Sequence, residues 1–336
     1  MKHLLYISAG ILLLVMCLLF TSQKQQGAIA QTHTTVTEDD TTPHEKSKAI
    51  YYWRTTFNLS EQEQQFLQKH DINKLYVRMF DVALEREEMS DIWEVVPIAT
   101  TQFISDVPEG VSIIPTTYIT VDALRDMQYN EERYAKLIVE RLLAMARYNK
   151  CGEIKEVQFD CDWTQTTQSI YFELCEKAAN LLHEKDIELS ITVRLHQISS
   201  EAPYYVDKGV LMVYNTGNFK STRTRNSILD IEDIKPYLKA RDYPLPLDYA
   251  YPTFGWGIKF YNNDFEKIVT NPEYELLTEA EYIRIERPTT AQILEVKNAV
   301  EKTFGKPASG NIIYHLDQKQ LSNYKDHEIA QILSYN

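Results

Sequence analysis

The chain has 336 residues and carries 48 acidic against 35 basic side chains, a formal charge of −13. With no long basic run to offset it, this balance argues against nucleic acid or an anionic membrane surface as the main partner, because phosphate recognition needs clustered Lys and Arg. The length suits one large domain or two ordinary ones, and a hydrophobic content of 44% is enough for a full core.

Residues 1–30 read as a targeting segment. Lys2 and His3 precede an apolar run from Leu4 to Phe20, and Ala28-Ile29-Ala30 offers a small-x-small cleavage site before Gln31. The alternative is an uncleaved N-terminal anchor, since about twenty apolar residues span a bilayer. That anchor would be the only membrane contact. A lipid on Cys17 fits poorly, because Met16 is large where a small residue is needed. In either version the domain is expected to be exported: periplasmic, on the cell surface or secreted. Residues 31–48, "QTHTTVTEDDTTPHEKSK", are polar and aperiodic and read as a flexible tether. A single domain is expected over residues 49–336.

"AIYYWRTTF" opens that domain as a strand, and "NLSEQEQQFLQKH" follows as a helix with Ser60 as N-cap and Glu61 and Glu63 in the first turn. "KLYVRMFDV", "VVPIATTQF" and "VSIIPTTYI" are strand-like, and "EERYAKLIVERLLAMARYN" has helical spacing of Leu137, Ile138, Leu142 and Met145. "EIKEVQFDCDW" is a strand and "QSIYFELCEKAANLLHEK" a helix. "IELSITVRL" and "GVLMVYNT" are strands, and "DIEDIKPYLKA" is a short helix. "YPLPLDYAYP" is a strand, "TTAQILEVKNAVEKTF" a helix and "NIIYHLD" a last strand. Such alternation means parallel strands joined by crossovers, seven or eight of them, with one surplus among the early candidates. An open nucleotide-binding sheet predicts a Gly-rich turn after its first strand, yet "TTFNLSEQ" has no glycine and no GxGxxG or GxxxxGK occurs. The expected fold is therefore α/β, a (β/α)8 TIM-like barrel.

Function in such a barrel lies at the C-terminal ends of the strands. Those ends offer Trp53 and Arg54, Arg78 and Asp81, and then Gln158, Asp160 and Asp162. Later strands add Arg194 and His196, Tyr214 and Asn215, Asp248 and Tyr249, and finally His315 and Asp317. Side chains alternate along a strand, so Gln158, Asp160 and Asp162 share one face while Val157, Phe159 and Cys161 share the other. Two carboxylates held close in low dielectric cannot both ionise cheaply, and the raised pKa of one is what a general acid requires. A buried network of the aspartates with Arg54, Arg78 or Arg194 fits the same residues. Cys151, Cys161 and Cys175 have no zinc-like spacing and are an odd number for a disulfide framework, so buried thiols are expected. No cofactor is implied. His196 and His315 with a carboxylate are a weak metal signal, and no GxSxG supports a nucleophile elbow.

"FDCDWT" resembles the fourth-strand signature of the family 18 glycoside hydrolases, the chitinase-like barrels, whose pattern is Asp-x-Asp-x-Glu with an aromatic residue before the Glu. Asp160, Asp162 and Trp163 match it, and Thr164 stands at the Glu position. The resemblance implies that the Glu protonates the leaving group while the preceding Asp orients the substrate's own acetamido group. Here that acid is missing. The order "YYWR", "VQFDCDW", "LSITVRL" and "PLDYAYPTFGWGIKF" also resembles a group of uncharacterised bacterial secreted barrels.

Two functions follow as expectations. One is an exported glycoside hydrolase-like barrel acting on a glycan. In it Asp162 protonates the glycosidic oxygen, Asp160 or Asp248 is its partner, and Trp53, Trp163 and Trp256 are sugar platforms. A carboxylate separation of about 5–5.5 Å would then predict retention and roughly 6.5–9.5 Å inversion. The other is a catalytically inactive barrel that binds a glycan or a protein at the cell surface.

Overall fold

In the computed structural model, the described residues are 46–87, 91–239 and 243–335. The targeting segment and most of the tether lie outside them. Eight parallel strands close a barrel: β1 (Ala49–Tyr52), β2 (Lys74–Arg86), β3 (Ser112–Ile119), β4 (Glu156–Cys161), β5 (Glu188–Arg194), β6 (Lys208–Met212), β7 (Leu247–Pro252) and β8 (Asn311–Tyr314). Each strand pairs with its successor, and β1 pairs with both β2 and β8. The surplus early strand, Trp93–Ile98, folds back antiparallel on the long second half of β2. Closure begins before β1, inside the stretch read as tether: the Ser47 amide donates to the Ser309 carbonyl at 3.1 Å.

Helix α1 (Glu61–Lys69) starts in a capping box in which Ser60 and Glu63 exchange hydrogen bonds, as the Ser-x-x-Glu spacing requires. Helix α2 (Glu131–Tyr148) packs on β3, helix α3 (Gln168–His183) packs on β5, and the two helices pack on each other. The buried stripe of α2 runs through Ala135, Ile138, Val139, Leu142 and Ala146. Leu137, expected on it, is 50% exposed. Helix α4 (Thr290–Phe304) precedes β8. Among the described residues, the crossover from β6 to β7 carries a short helix at Ile231–Ile234 that runs into a 3-10 turn at Lys235–Tyr237, preceded by a long loop, 213–230.

The link from β7 to α4 holds an element the sequence reading did not contain. Trp256–Tyr261, Asp264–Val269 and Glu281–Glu286 form a separate antiparallel sheet. Its tight turn is Asn262-Asn263, both at positive φ (48° and 66°). A two-residue hairpin loop requires that conformation, and Asn tolerates it.

The barrel interior is polar from base to mouth, where many such barrels stack Val, Ile and Leu. At the base, the Lys208 ammonium donates to Glu156 at 2.9 Å and lies 3.5 Å from Asp248. The Tyr76 and Ser190 hydroxyls also donate to Glu156 (3.0 and 2.7 Å). One level up, the Tyr51 hydroxyl donates to Gln158 (2.8 Å), whose amide donates to Ser190 (3.3 Å). Buried polar groups cost little when each is bonded in this way.

Candidate functional site

Strand β4 works as the pleat predicts. Its inward residues step up the interior as Glu156, Gln158, Asp160 and Asp162, while Val157, Phe159 and Cys161 are buried on the other face. Only the last two inward positions reach the mouth. Asp160 is 3% exposed and accepts from the Thr192 hydroxyl at 2.5 Å and from Arg194 Nη2 at 2.9 Å. Arg194 Nε donates to Asp162, so one guanidinium joins both carboxylates. The second oxygen of Asp162 stands 3.4 Å from the Tyr118 hydroxyl, and its side chain is 44% exposed.

Electrostatics follow from this geometry. Burial pushes the Asp160 carboxyl above its usual range, and Arg194 and Thr192 pull against that without cancelling it. Burial also works against the Arg194 charge, but Asp160 and Asp162 outweigh it and keep the guanidinium protonated. The Tyr118 phenol is raised by burial and then by Asp162.

Above these groups opens a cavity of about 460 Å³. Its floor and polar wall are Asp160, Asp162, Arg194 and Tyr118, and Trp53, Tyr214 and Tyr314 form an aromatic wall. His196, Asn215, Thr216 and Tyr237 complete the rim. Tyr214 and Tyr314 lie with centroids 4.7 Å apart, and Trp53 meets Tyr314 at 6.1 Å. The size is that of a small-molecule pocket.

Of the residues expected at the mouth, Trp53, Asp160, Asp162, Arg194, His196, Tyr214 and Asn215 line this cavity. The rest stand elsewhere, each for a physical reason. Asp248 is the second residue of β7 and so belongs to the base, where it accepts from the Ser309 and Gly310 amides (2.6 and 2.9 Å). Tyr249 points outward and donates to the Gly305 carbonyl. Gln158 is one level too deep and fully buried. Trp163 turns outward, 2% exposed, against Tyr171 and Phe172, and offers no platform. Trp256 opens the additional sheet and donates through Nε1 to Glu286 (2.9 Å). Arg54 is taken by Glu63 (2.5 Å) and the Leu316 carbonyl (2.8 Å). Arg78 is paired with Asp81 beside the Trp53 ring. His315 follows β8, with Nδ1 buried, and burial lowers its pKa. Asp317 caps the next short helix through Gln320 N.

Among the described residues no group of three or more His, Cys, Asp or Glu is placed to hold a metal ion. The three cysteines are buried and unpaired, and burial pushes the Cys151 thiol up to about 11. Thr164 is exposed and outside the cavity lining; its hydroxyl lies 3.0 Å from that of Thr166.

No protein-family model matches the sequence, and no curated protein matches it. Solved structures do. The fold is chitinase-like. The chain is similar to the chitinase from Chromobacterium violaceum at 10% identity and a TM-score of 0.54, over 85% of this chain and 98% of that one. It is similar to the Group IV chitinase of Ostrinia furnacalis at 10% identity and a TM-score of 0.53, over 86% and 98%. A mutant GH18 chitinase from Cycas revoluta, solved in complex with (GlcNAc)4, matches at 14% identity and a TM-score of 0.50, over 85% and 98%. At such identities the likeness is one of fold, and the chemistry of this chitinase-like barrel rests on its own residues.

Tyr118, Leu195, Thr216, Tyr237 and Tyr314 line the cavity but escaped the sequence reading, and two of them had a signal. Tyr118 pairs directly with Asp160 across β3 and β4, so it shares the inward face. Tyr314 is the last residue of β8, two positions after Ile312 on the same side of the strand.

Proposed function

We propose that this barrel binds a short saccharide in its mouth and does not cleave it. The observation that carries the reading is Arg194, whose guanidinium joins Asp160 and Asp162 at once. Asp160, the carboxyl that burial raises, is 3% exposed beneath that guanidinium and so is not placed to hand a proton to a leaving group in the cavity. Thr164 stands where the resemblance calls for the acid, outside the cavity and bonded to its own loop. The aromatic wall of Trp53, Tyr214 and Tyr314 remains, and flat rings beside hydrogen-bonding groups suit sugar faces and hydroxyls. The saccharide bound in the Cycas revoluta structure supports a glycan as the occupant. The same reading takes residues 1–30 as a signal or anchor and places the domain outside the cytoplasm.

Calorimetry with a tetramer of N-acetylglucosamine, beside a glycan array, tests it. The expected result is saccharide binding, weakened about five- to ten-fold by Trp53→Ala through the loss of a stacking face, with no product by chromatography after prolonged incubation. Absence of binding to every glycan would overturn the proposal. A second reading, hydrolysis with Asp162 as the acid, is favoured by the half-exposed side chain of that residue in an open cavity. Turnover in the parent that vanishes in Asp162→Asn would establish it instead.

A further inference from the structure

Building on the glycan reading, we infer that the mouth selects a saccharide bearing a free, protonated amine over the same saccharide acetylated, and rejects one bearing a carboxylate. The cavity lining holds two carboxylates, Asp160 and Asp162, against one guanidinium, Arg194. The nearest further cations change nothing, because Arg78 is matched by Asp81 and Arg54 by Glu63. With both carboxylates ionised, the floor carries one negative charge in excess of Arg194, inside a chain whose formal charge is −13.

That excess is presented at a particular atom. Asp162 Oδ1 accepts from Arg194 Nε, whereas among the described residues Oδ2 receives only the long 3.4 Å approach of the Tyr118 hydroxyl. A carboxylate offers about four acceptor positions, so Oδ2 has capacity for a strong donor. An ammonium brings three donors and a charge, and the faces of Trp53, Tyr214 and Tyr314 nearby favour a cation further. An acetamide at the same place brings one N–H and turns a carbonyl oxygen toward an anionic floor. A uronate meets like charge both there and in the field of the whole chain.

The test compares binding of a glucosamine tetramer and an N-acetylglucosamine tetramer near neutral pH, at about 0.02 M and about 0.5 M salt. For a half-exposed charge pair the expected preference for the amine is about five-fold at low salt. It should shrink toward unity at high salt and in Asp162→Asn. A parent-like Tm and circular dichroism spectrum in the variant separate loss of the charge from loss of the fold. Equal binding of the two tetramers, tighter binding of the acetylated one, or a preference that survives Asp162→Asn would overturn the inference and leave the glycan reading standing. If neither tetramer binds, this inference falls, and the glycan reading is decided by the glycan array.

Discussion

Lys208 is 1% exposed, yet it keeps its charge because Glu156 and Asp248 stand against it and hold its pKa above the ordinary lysine value despite burial. A buried cation of this kind is worth little against a well-packed apolar isostere, but removing it alone strands its partners. Lys208→Met leaves Glu156 and Asp248 facing each other across the base. It should cost about 3–5 kcal/mol, read as a lower urea midpoint with an unchanged slope. Glu156 supplies the matching pH dependence. Burial alone would raise its pKa, but Lys208 and Lys74 more than offset that and hold it below the usual range. A carboxyl depressed in the folded state stabilises the fold above its unfolded value of about 4.3 and loses that contribution as pH falls through the lower folded value. Stability should thus decline on acidification below about pH 4.3, and Glu156→Gln should flatten that limb. An identical limb in the variant would assign the acid sensitivity to other groups. The residue scale is also where the sequence misled. "PLPLDYAYP" shows an acid in a strand but not which end of the strand it occupies. The strand starts only at Leu247, so Asp248 sits at the base rather than the mouth.

Among the elements, the wall beside the mouth depends on one side chain. Glu286, 2% exposed, accepts from the Ser227 amide (2.9 Å), the Ser227 hydroxyl (2.5 Å), Trp256 Nε1 (2.9 Å) and Arg284 Nε (2.7 Å). Through them it ties the 213–230 loop, which carries Asn215 and Thr216, to the sheet that follows β7. Arg284 adds bonds to the Phe219 and Ser221 carbonyls. Glu286→Ala should cost about 3 kcal/mol by orphaning these donors, speed amide exchange across 213–230 and shift the emission of Trp256. Unchanged exchange in that loop would mean that other contacts hold it. Helices and strands with strong periodicity were legible: the capping box at Ser60 and Glu63 forms as its spacing indicates, and Gln158, Asp160 and Asp162 share one inward face, although Gln158 lies below the mouth. The small sheet was not, because Trp256–Tyr261 and Asp264–Val269 are short and mix Lys and Glu with apolar residues. The Asn262-Asn263 pair was the one local sign of its hairpin.

At the scale of the molecule, the closed barrel could be read from the alternation of strands and helices and from the missing glycine turn, since both follow from local chemistry. Where the ring seals could not be, because it depends on backbone groups that carry no sequence signature. Gly310 shows the closeness of that seal: a Cβ built there would lie 2.0 Å from the Ser47 carbonyl oxygen. Gly310→Ala should therefore push β1 and β8 apart and disturb the amide that Asp248 accepts from. A loss of several kcal/mol and a marked fall in Tm are expected, and a Tm within a degree or two of the parent would show that the seam yields easily.

That seam has one more consequence. The carbonyl oxygen of Ser309 accepts from the Ser47 amide and also from the Tyr335 hydroxyl at 3.0 Å, so the start and the finish of the barrel are fastened to a single atom. Two ends that meet there can be joined by a short connector, and new ends opened in an exposed loop elsewhere. The order in which the strands are synthesised is thus separable from the ring they make, and a rearranged gene encoding the same circle of strands should yield the same cup.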